Sequence, residues 1–253
     1  MADRIKGFPP YNIDAVVKIG GSLMQQPERC RALIAEIETL ACEGHRLLLV
    51  PGGGLPDNAI ESVDATYPLS PFTAHHACAL AQDQTGYMLA DSAFSTRLRP
   101  CSTLGACRQA IADDAVPILL PSQILFHMDP VSWSWDITSD AVAAWFAWLV
   151  GATRLVIVTN VDGVFLNGAV SDPAQRIAWI AAADLARLGH TSIDACAADF
   201  LAGKGLSGAV LNGAHPERLA AYLRGEPTIA TEVLAQAPTT MAPATSHPAE
   251  VAS

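Results

Sequence analysis

The sequence predicts an α/β protein, a three-layer α/β/α sandwich with a mainly parallel central sheet. Three observations carry that reading. The strand-like runs are apolar throughout rather than alternating, which marks strands covered on both faces. Longer amphipathic stretches of helical period separate them, as in successive βαβ units. Two of the runs, AVVKIG (15–20) and RLLLVPGGG (46–54), end in glycines, where open α/β sheets place their ligands.

Each element follows from its local pattern. AVVKIG is the first strand, ERCRALIAEIETLACEG (28–44) a helix ended by Gly44, and RLLLVPGGG a second strand entering a glycine turn. After a polar, Pro-containing connection, 73–93 and 102–114 read as helices and VPILLP (116–121) as a strand. Residues 137–151 form a helix capped through Thr138 or Ser139, and RLVIVTN (154–160) is a further buried strand. VDGVFLNGAV (161–170) has the pattern of a small hairpin turning at Asn167-Gly168. Helices fit 182–189, 194–202 and 215–224, and strands 208–212 and 228–233. Residues 1–234 are expected to form a single domain. From Ala235 to 253 the chain is rich in Pro, Ala, Ser and Thr without periodicity and reads as a disordered tail.

Composition narrows the function. The 253 residues are 51% hydrophobic, enough for a sizeable core. A formal net charge of −10 repels a polyanion, and no basic run offers a nucleic-acid surface. The N-terminal MADRIKGFPPYNID lacks the apolar core of a secretion signal, and the longest apolar run, 141–152, is too short for a bilayer. A soluble, cytoplasmic protein with no membrane partner is expected. The 6 cysteines show no metal-like or CxxC spacing and read as small buried hydrophobes in a reducing compartment. His75 and His76, adjacent on a helix, diverge and make a poor ligand pair.

The chemistry gathers at the strand ends. VVKIGGSL (16–23) embeds Lys18 in an apolar run, and the chain's other lysines stand at 6 and 204. A buried ammonium is costly unless something pairs with it. Gly20, Gly21 and Ser22 follow it directly, and Gly52, Gly53 and Gly54 end the second strand. Glycines there let backbone N–H groups approach an anion, although each cluster taken alone reads first as a tight strand-to-helix turn, and it is Lys18 beside them that favours an anion. The chain has no GxxxxGK[ST], and GGGLPD is not GxGxxG, which disfavours a P-loop or dinucleotide site. Asp140, early in the helix within WDITSDAVAAWFA (135–147), either favours the helix dipole or pairs with Lys18. Asp136 reads as a cap or loop residue. In TNVDGVF (159–165), Asp162 and Gly163 lie just past another strand end.

Taken in order, KIGGS (18–22), PGGG (51–54), TSDAVAA (138–144), TNVDGVF (159–165) and LNG…PER (211–218) resemble the amino acid kinase family over residues 14 to 233. WDITSD, SIDACAADFL (192–201) and VLNGAHPERLAAYLRGE (210–226) are most similar to the furan-phosphate kinases of methanofuran biosynthesis and their relatives in methylotrophic bacteria. Those kinases convert a (5-(aminomethyl)furan-3-yl)methyl phosphate to the diphosphate. The resemblance implies an ATP-dependent, homo-oligomeric kinase of a small phosphorylated acceptor. Its acceptor-binding part would span 14–150 and its nucleotide-binding part 151–234.

The same resemblance assigns roles. Lys18 would neutralise charge on the transferring phosphoryl group, and Asp140 would organise that lysine. Gly20, Gly21 and Ser22 would bind ATP phosphates, and Gly52, Gly53 and Gly54 the acceptor's anionic end. Thr159, Asn160, Asp162 and Gly163 would border the nucleotide and a Mg²⁺ carried mainly by the ATP phosphates. Asn212 and Arg218 match the subfamily without an evident role. Many family members carry a second lysine after the TNVDG-like strand. Here the only later lysine is Lys204, in LAGKGLS, outside the usual motif and equally suited to a solvated loop, so Arg176 or Arg218 stand as substitutes. The family's terminal Gly-Thr is altered to Ala230-Thr231.

Two other readings remain open. One is a kinase of a carboxylate or nucleoside monophosphate; a carboxylate acceptor calls for an arginine near the second glycine turn, where the sequence offers Arg97 and Arg99. The other is a non-catalytic protein similar to the molybdenum storage relatives, holding nucleotide and oxyanions without turnover.

Overall fold

In a computed structural model that describes residues 11–236, apolar strands alternate with helices from the start. β1 (Ala15–Ile19) leads through α1 (Pro27–Cys42) to β2 (Leu47–Pro51), all of β2 buried. α2 (Gly54–Thr66) and α3 (Pro71–Leu89) follow, then β3 (Leu98–Cys101), α4 (Leu104–Ala112), β4 (Val116–Leu119) and α5 (Ser122–Met128). α6 (Ser139–Val150) precedes β5 (Arg154–Thr159), and β6 (Trp179–Ala181) leads into α7 (Ala182–Arg187) and α8 (Ala195–Lys204). β7 (Ser207–Asn212), α9 (Pro216–Arg224) and β8 (Thr231–Leu234) complete the described residues. The tail expected from 235 falls, beyond Gln236, outside them.

One sheet joins the strands in the order β3-β4-β2-β1-β5-β7-β8-β6. Its pairings are parallel except β7 with β8. α1 and α9 cover one face, where Leu33, Ile34, Ile37 and Leu219 pack on Val17, Ile19 and Leu49. The other face carries α6 and α8, with Ala144, Phe146 and Leu201 in one cluster with Val16, Val50 and Ile157. The expected α/β/α architecture is therefore present. No helix among the described residues is long and apolar enough to cross a membrane.

The differences from expectation have physical causes. The connection expected after the second strand is the helix α2, which buries none of its residues: its Leu55 and Val63 are exposed, and its start follows a Gly- and Pro-containing turn pattern. β3 reads LRPC and lies at the sheet edge, where a proline is tolerated and the apolar run breaks. α5 and β6 are too short to show a period. Asn167 (φ 53) and Gly168 (φ 68) do turn the chain with positive φ. No two-residue hairpin forms around them, because Phe165 instead bridges Arg176 across a wider excursion.

Candidate active site

The tips of three adjacent strands build the site. Lys18 lies in register with Val50 of β2 and Ile157 of β5, and Ile19 with Pro51 and Val158. The ladder then continues one step into the glycines. Gly20 N–H donates to Val158 O and Gly52 N–H to Ile19 O, each at 2.8 Å. These bonds seat the two glycine turns against one another. A Cβ on Gly21 would lie 2.2 Å from Gly54 N and 2.3 Å from its Cα, so the approach requires glycine. Thr85 of α3 fixes the second turn from below, its Oγ1 donating to Gly53 O at 2.8 Å. α2 starts here with no side-chain cap, leaving its first N–H groups open to an anion.

Alternation along β1 turns Val17 and Ile19 toward α1 and Val16 and Lys18 toward α6. Asp140 meets the lysine there. Lys18 Nζ lies 2.7 Å from Asp140 Oδ1, with side chains 12% and 9% exposed. Thr138 caps α6 by accepting from Asp140 N–H, which leaves the Asp140 carboxylate for the ammonium. Asp140 thus fills both roles that its sequence position allowed.

Asp194, which sequence reasoning did not single out, holds this helix start. It is 1% exposed and accepts from Thr138 N–H and Oγ1, Ala141 N–H and Ala197 N–H. One carboxylate therefore ties the first turns of α6 and α8 together. Burial raises its pKa, the charge of Asp140 adds to the rise, and the hydrogen bonds oppose it. Its signal was SIDA, an N-cap pattern before an apolar helix.

Past β5, the chain borders a second region. Thr159, Asn160 and Gly163 line an open cavity of 690 Å³ with His190, Thr191 and Ser192. Gly163 (φ +137) packs on Thr231, whose Oγ1 a Cβ would meet at 2.4 Å. Thr231 is fully buried and accepts from Val164 N–H while donating to Ile177 O. The altered Ala230-Thr231 pair thus keeps its threonine in use. Asp162 takes hydrogen bonds from Arg218 Nη1 at 2.6 Å and Asn212 Nδ2 at 2.8 Å. Partial burial pushes its pKa up, but these bonds outweigh that and hold it below the usual carboxylate value. Arg176 is half-buried nearby: burial lowers its pKa, and the charge of Asp162 opposes the fall.

Lys204 is not brought to this site. Its Nζ rests 4.5 Å from the Trp148 ring centroid and 5.7 Å from that of Phe200. α6 starts at the site, so eight residues of helix, about 12 Å, carry Trp148 away from Asp140. Arg97 and Arg99 are also elsewhere. Arg97 donates to Asp114 O, and Arg99 pairs with Asp113 at 2.6 Å, beside the edge strand β3.

A cavity of 540 Å³ opens between α2, α3 and residues 133–139. Asp57, Glu61, Asp64, Asp136, Trp133 and Trp135 are among its lining residues, together with Thr138 and Ser139 beside Asp140. Asp57 adjoins the second glycine turn, since a Cβ on Gly53 would meet its Oδ2 at 2.7 Å. Burial raises its pKa, against a hydrogen bond from Cys78 and the charge of Lys18. No periodic pattern marks this cavity in the sequence, because one wall is the unburied α2 and another the irregular segment before α6.

Several known proteins are similar to this chain. A relative from Methanocaldococcus jannaschii, a [5-(aminomethyl)furan-3-yl]methyl phosphate kinase, is 29% identical over 87% of this chain and 97% of its own. Uridylate kinases from Natronomonas pharaonis, at 29% identity over 87% of this chain and 97% of their own, and from Halorubrum lacusprofundi, at 30% over 84% and 90%, are also similar. The crystal structure of uridylate kinase from Archaeoglobus fulgidus superposes with a TM-score of 0.68 at 21% identity, covering 87% of this chain and all of that one. UMP kinase from Ureaplasma parvum gives 0.67 at 19%, over 87% and 97%. The family model of the amino acid kinase family matches residues 15–212, which take in the paired glycine turns, the Lys18–Asp140 contact and the turn at Asp162. With strand order, site and family model in agreement, the chain belongs to the amino acid kinase family and is a phosphotransferase.

Proposed function

We propose that this protein transfers the γ-phosphoryl group of ATP to a furanmethyl phosphate, yielding the diphosphate and ADP. An oxygen of the acceptor phosphate forms the new bond to the γ-phosphorus as the bond to the ADP oxygen breaks. The acceptor oxygen is already anionic at neutral pH, so the chain has no strong base to supply. Its task is to hold two anions in line and to offset their repulsion.

The observation that carries this reading is the Lys18 ammonium, held by Asp140, on the strand that runs directly into the first of two touching glycine turns. An ammonium so placed faces both the donor and the acceptor phosphates, and fixed charge in a water-poor site is effective at stabilising the transferring group. The residues present also fit a nucleotide. Gly20, Gly21 and Ser22 offer backbone at one turn, Gly52, Gly53 and Gly54 the uncapped start of α2 at the other, and Thr159, Asn160 and Gly163 an open cavity beyond β5. A Mg²⁺ carried by the ATP phosphates supplies further charge neutralisation. Asp162 is engaged by Arg218 and Asn212, and its part is to orient that guanidinium toward the nucleotide region. The furan acceptor is supported by the Methanocaldococcus jannaschii relative, and the location of Arg97 and Arg99 away from the cavity speaks against a carboxylate acceptor.

The test is ADP release from Mg-ATP with [5-(aminomethyl)furan-3-yl]methyl phosphate, UMP and a small carboxylate as parallel acceptors. Turnover with the furan phosphate is expected to exceed the others. Background-level release with it, or faster turnover of UMP, overturns the proposal.

A further inference from the structure

The cavity between α2, α3 and residues 133–139 has an unusual charge. Asp57, Glu61, Asp64 and Asp136 line it, and among the described residues no lysine or arginine does. His75, the remaining basic type in the wall, has its pKa lowered by burial and by the neighbouring His76, against the pull of Asp129. An acidic wall around the binding place of a phosphate ester is unfavourable unless the same ligand also brings positive charge.

Two acceptors in this wall lack donors. Gln82 is 6% exposed and its Oε1 has no hydrogen-bond partner. Asp57 Oδ1 is likewise buried and unpartnered. The two share one cavity wall, Asp57 on α2 and Gln82 on α3, and those two helices pack on one another. Unsatisfied buried acceptors are costly, and they persist where a ligand completes them. A metal ion does not suit them: no group of three His, Cys, Asp or Glu able to hold one occurs among the described residues. A primary ammonium, with three N–H donors and one charge, suits both the orphan acceptors and the carboxylates. Trp133 and Trp135, 41% and 43% exposed at the cavity mouth, add aromatic faces for a flat ring and its cation.

Resting on the kinase reading above, we infer that this cavity selects a zwitterionic acceptor, an aromatic phosphate ester bearing a protonated primary amine. Asp57 and Gln82 receive the ammonium, and the phosphate lies at the glycine turns. A nucleoside monophosphate presents the same phosphate but no cation to the carboxylates, and it leaves Gln82 and Asp57 unpaired.

Titration calorimetry without ATP tests this apart from turnover, using the aminomethylfuran phosphate, its N-acetyl derivative and UMP. The free amine is expected to bind at least about tenfold more tightly than the N-acetyl derivative, the scale of one charge-assisted contact. Asp57→Asn and Glu61→Gln are expected to shrink that ratio, and Gln82→Leu to weaken the free amine alone. Equal binding of the amine and its N-acetyl derivative, or binding of neither, overturns the inference even if ADP release shows kinase activity. Tight, amine-dependent binding without any ADP release leaves the subsite standing and overturns the proposed reaction instead.

Discussion

Lys18 and Asp140 meet at 2.7 Å across the packing of β1 on α6, both nearly buried and joined to nothing else through Asp140 Oδ1. Removing the lysine strands a buried carboxylate, so Lys18→Met is expected to lower stability by about 3 kcal/mol and turnover by about 100-fold or more. Lys18→Met combined with Asp140→Asn removes both charges. Urea unfolding of that double variant should recover most of the lost stability, while ADP release stays at the level of the single variant. Recovery of turnover along with stability would show the pair to be structural only.

Gly21 and Gly54 touch backbone to backbone, and the methyl of Gly21→Ala has nowhere to go. With both phosphates held at these turns, as proposed above, opening them misplaces the reactants, so turnover should fall about 100-fold, the cost of a misplacement near 1 Å. Gly44→Ala serves as the control. Its φ of +100 makes the change costly by about 1 kcal/mol, yet nothing lies within 4 Å of the added carbon and the site is remote. Thermal unfolding and steady-state assays of the two variants should therefore diverge.

Asp162 sits below the ordinary carboxylate pKa of 3.8 because Arg218 and Asn212 hold its charged form. A depressed carboxylate contributes stability that is complete above its unfolded pKa and is lost as pH falls through its lower folded value. Partly exposed, the pair is worth about 1 kcal/mol. In urea titrations at pH 7 and at successive points below pH 4, the gap between the protein and Asp162→Asn should be full at neutrality and close on the acid side. A gap that widens with acid would contradict the pairing.

Lys204 lies on Trp148 and Phe200, far along α6 from Asp140. Lys204→Ala is expected to leave turnover within about twofold and to cost no more than about 1 kcal/mol, the value of an exposed cation–π contact. Arg218→Ala, in contrast, should raise the KM for ATP, since it removes the cation that Asp162 orients. Steady-state kinetics of both variants decide which side chain stands in for the family's second lysine.

The sequence made the centre of this protein legible and its rim illegible. Lys18 was conspicuous because a charge in an apolar strand demands a partner, and the adjacent glycines marked a strand end. Asp140 could be named, but not given one role, until the register of β1 against α6 was known. Locally Asp194 shows only as the cap of α8, through Ala197; its bonds to Thr138 and Ala141 run to residues more than 50 positions away, a distance that no local pattern reports. α2 was missed for want of a buried stripe, and the orphan acceptor of Gln82 has meaning only beside Asp57. Lys204 is named only as the one lysine after the TNVDG-like strand, outside the family's usual motif, and the packing of α8 on α6 keeps it away from the site.

β8 enters the sheet between β7 and β6, so within the sheet the short edge strand β6 pairs only with a segment far later in the chain. During synthesis, β7 therefore emerges with an open flank, and the loop from Gly163 to Ile177 has no Thr231 to close upon. The β7-β8-β6 end of the sheet can assemble only after residues 231–234 leave the ribosome, which sets a late checkpoint on folding and leaves a nascent chain exposed to strand-to-strand aggregation until then.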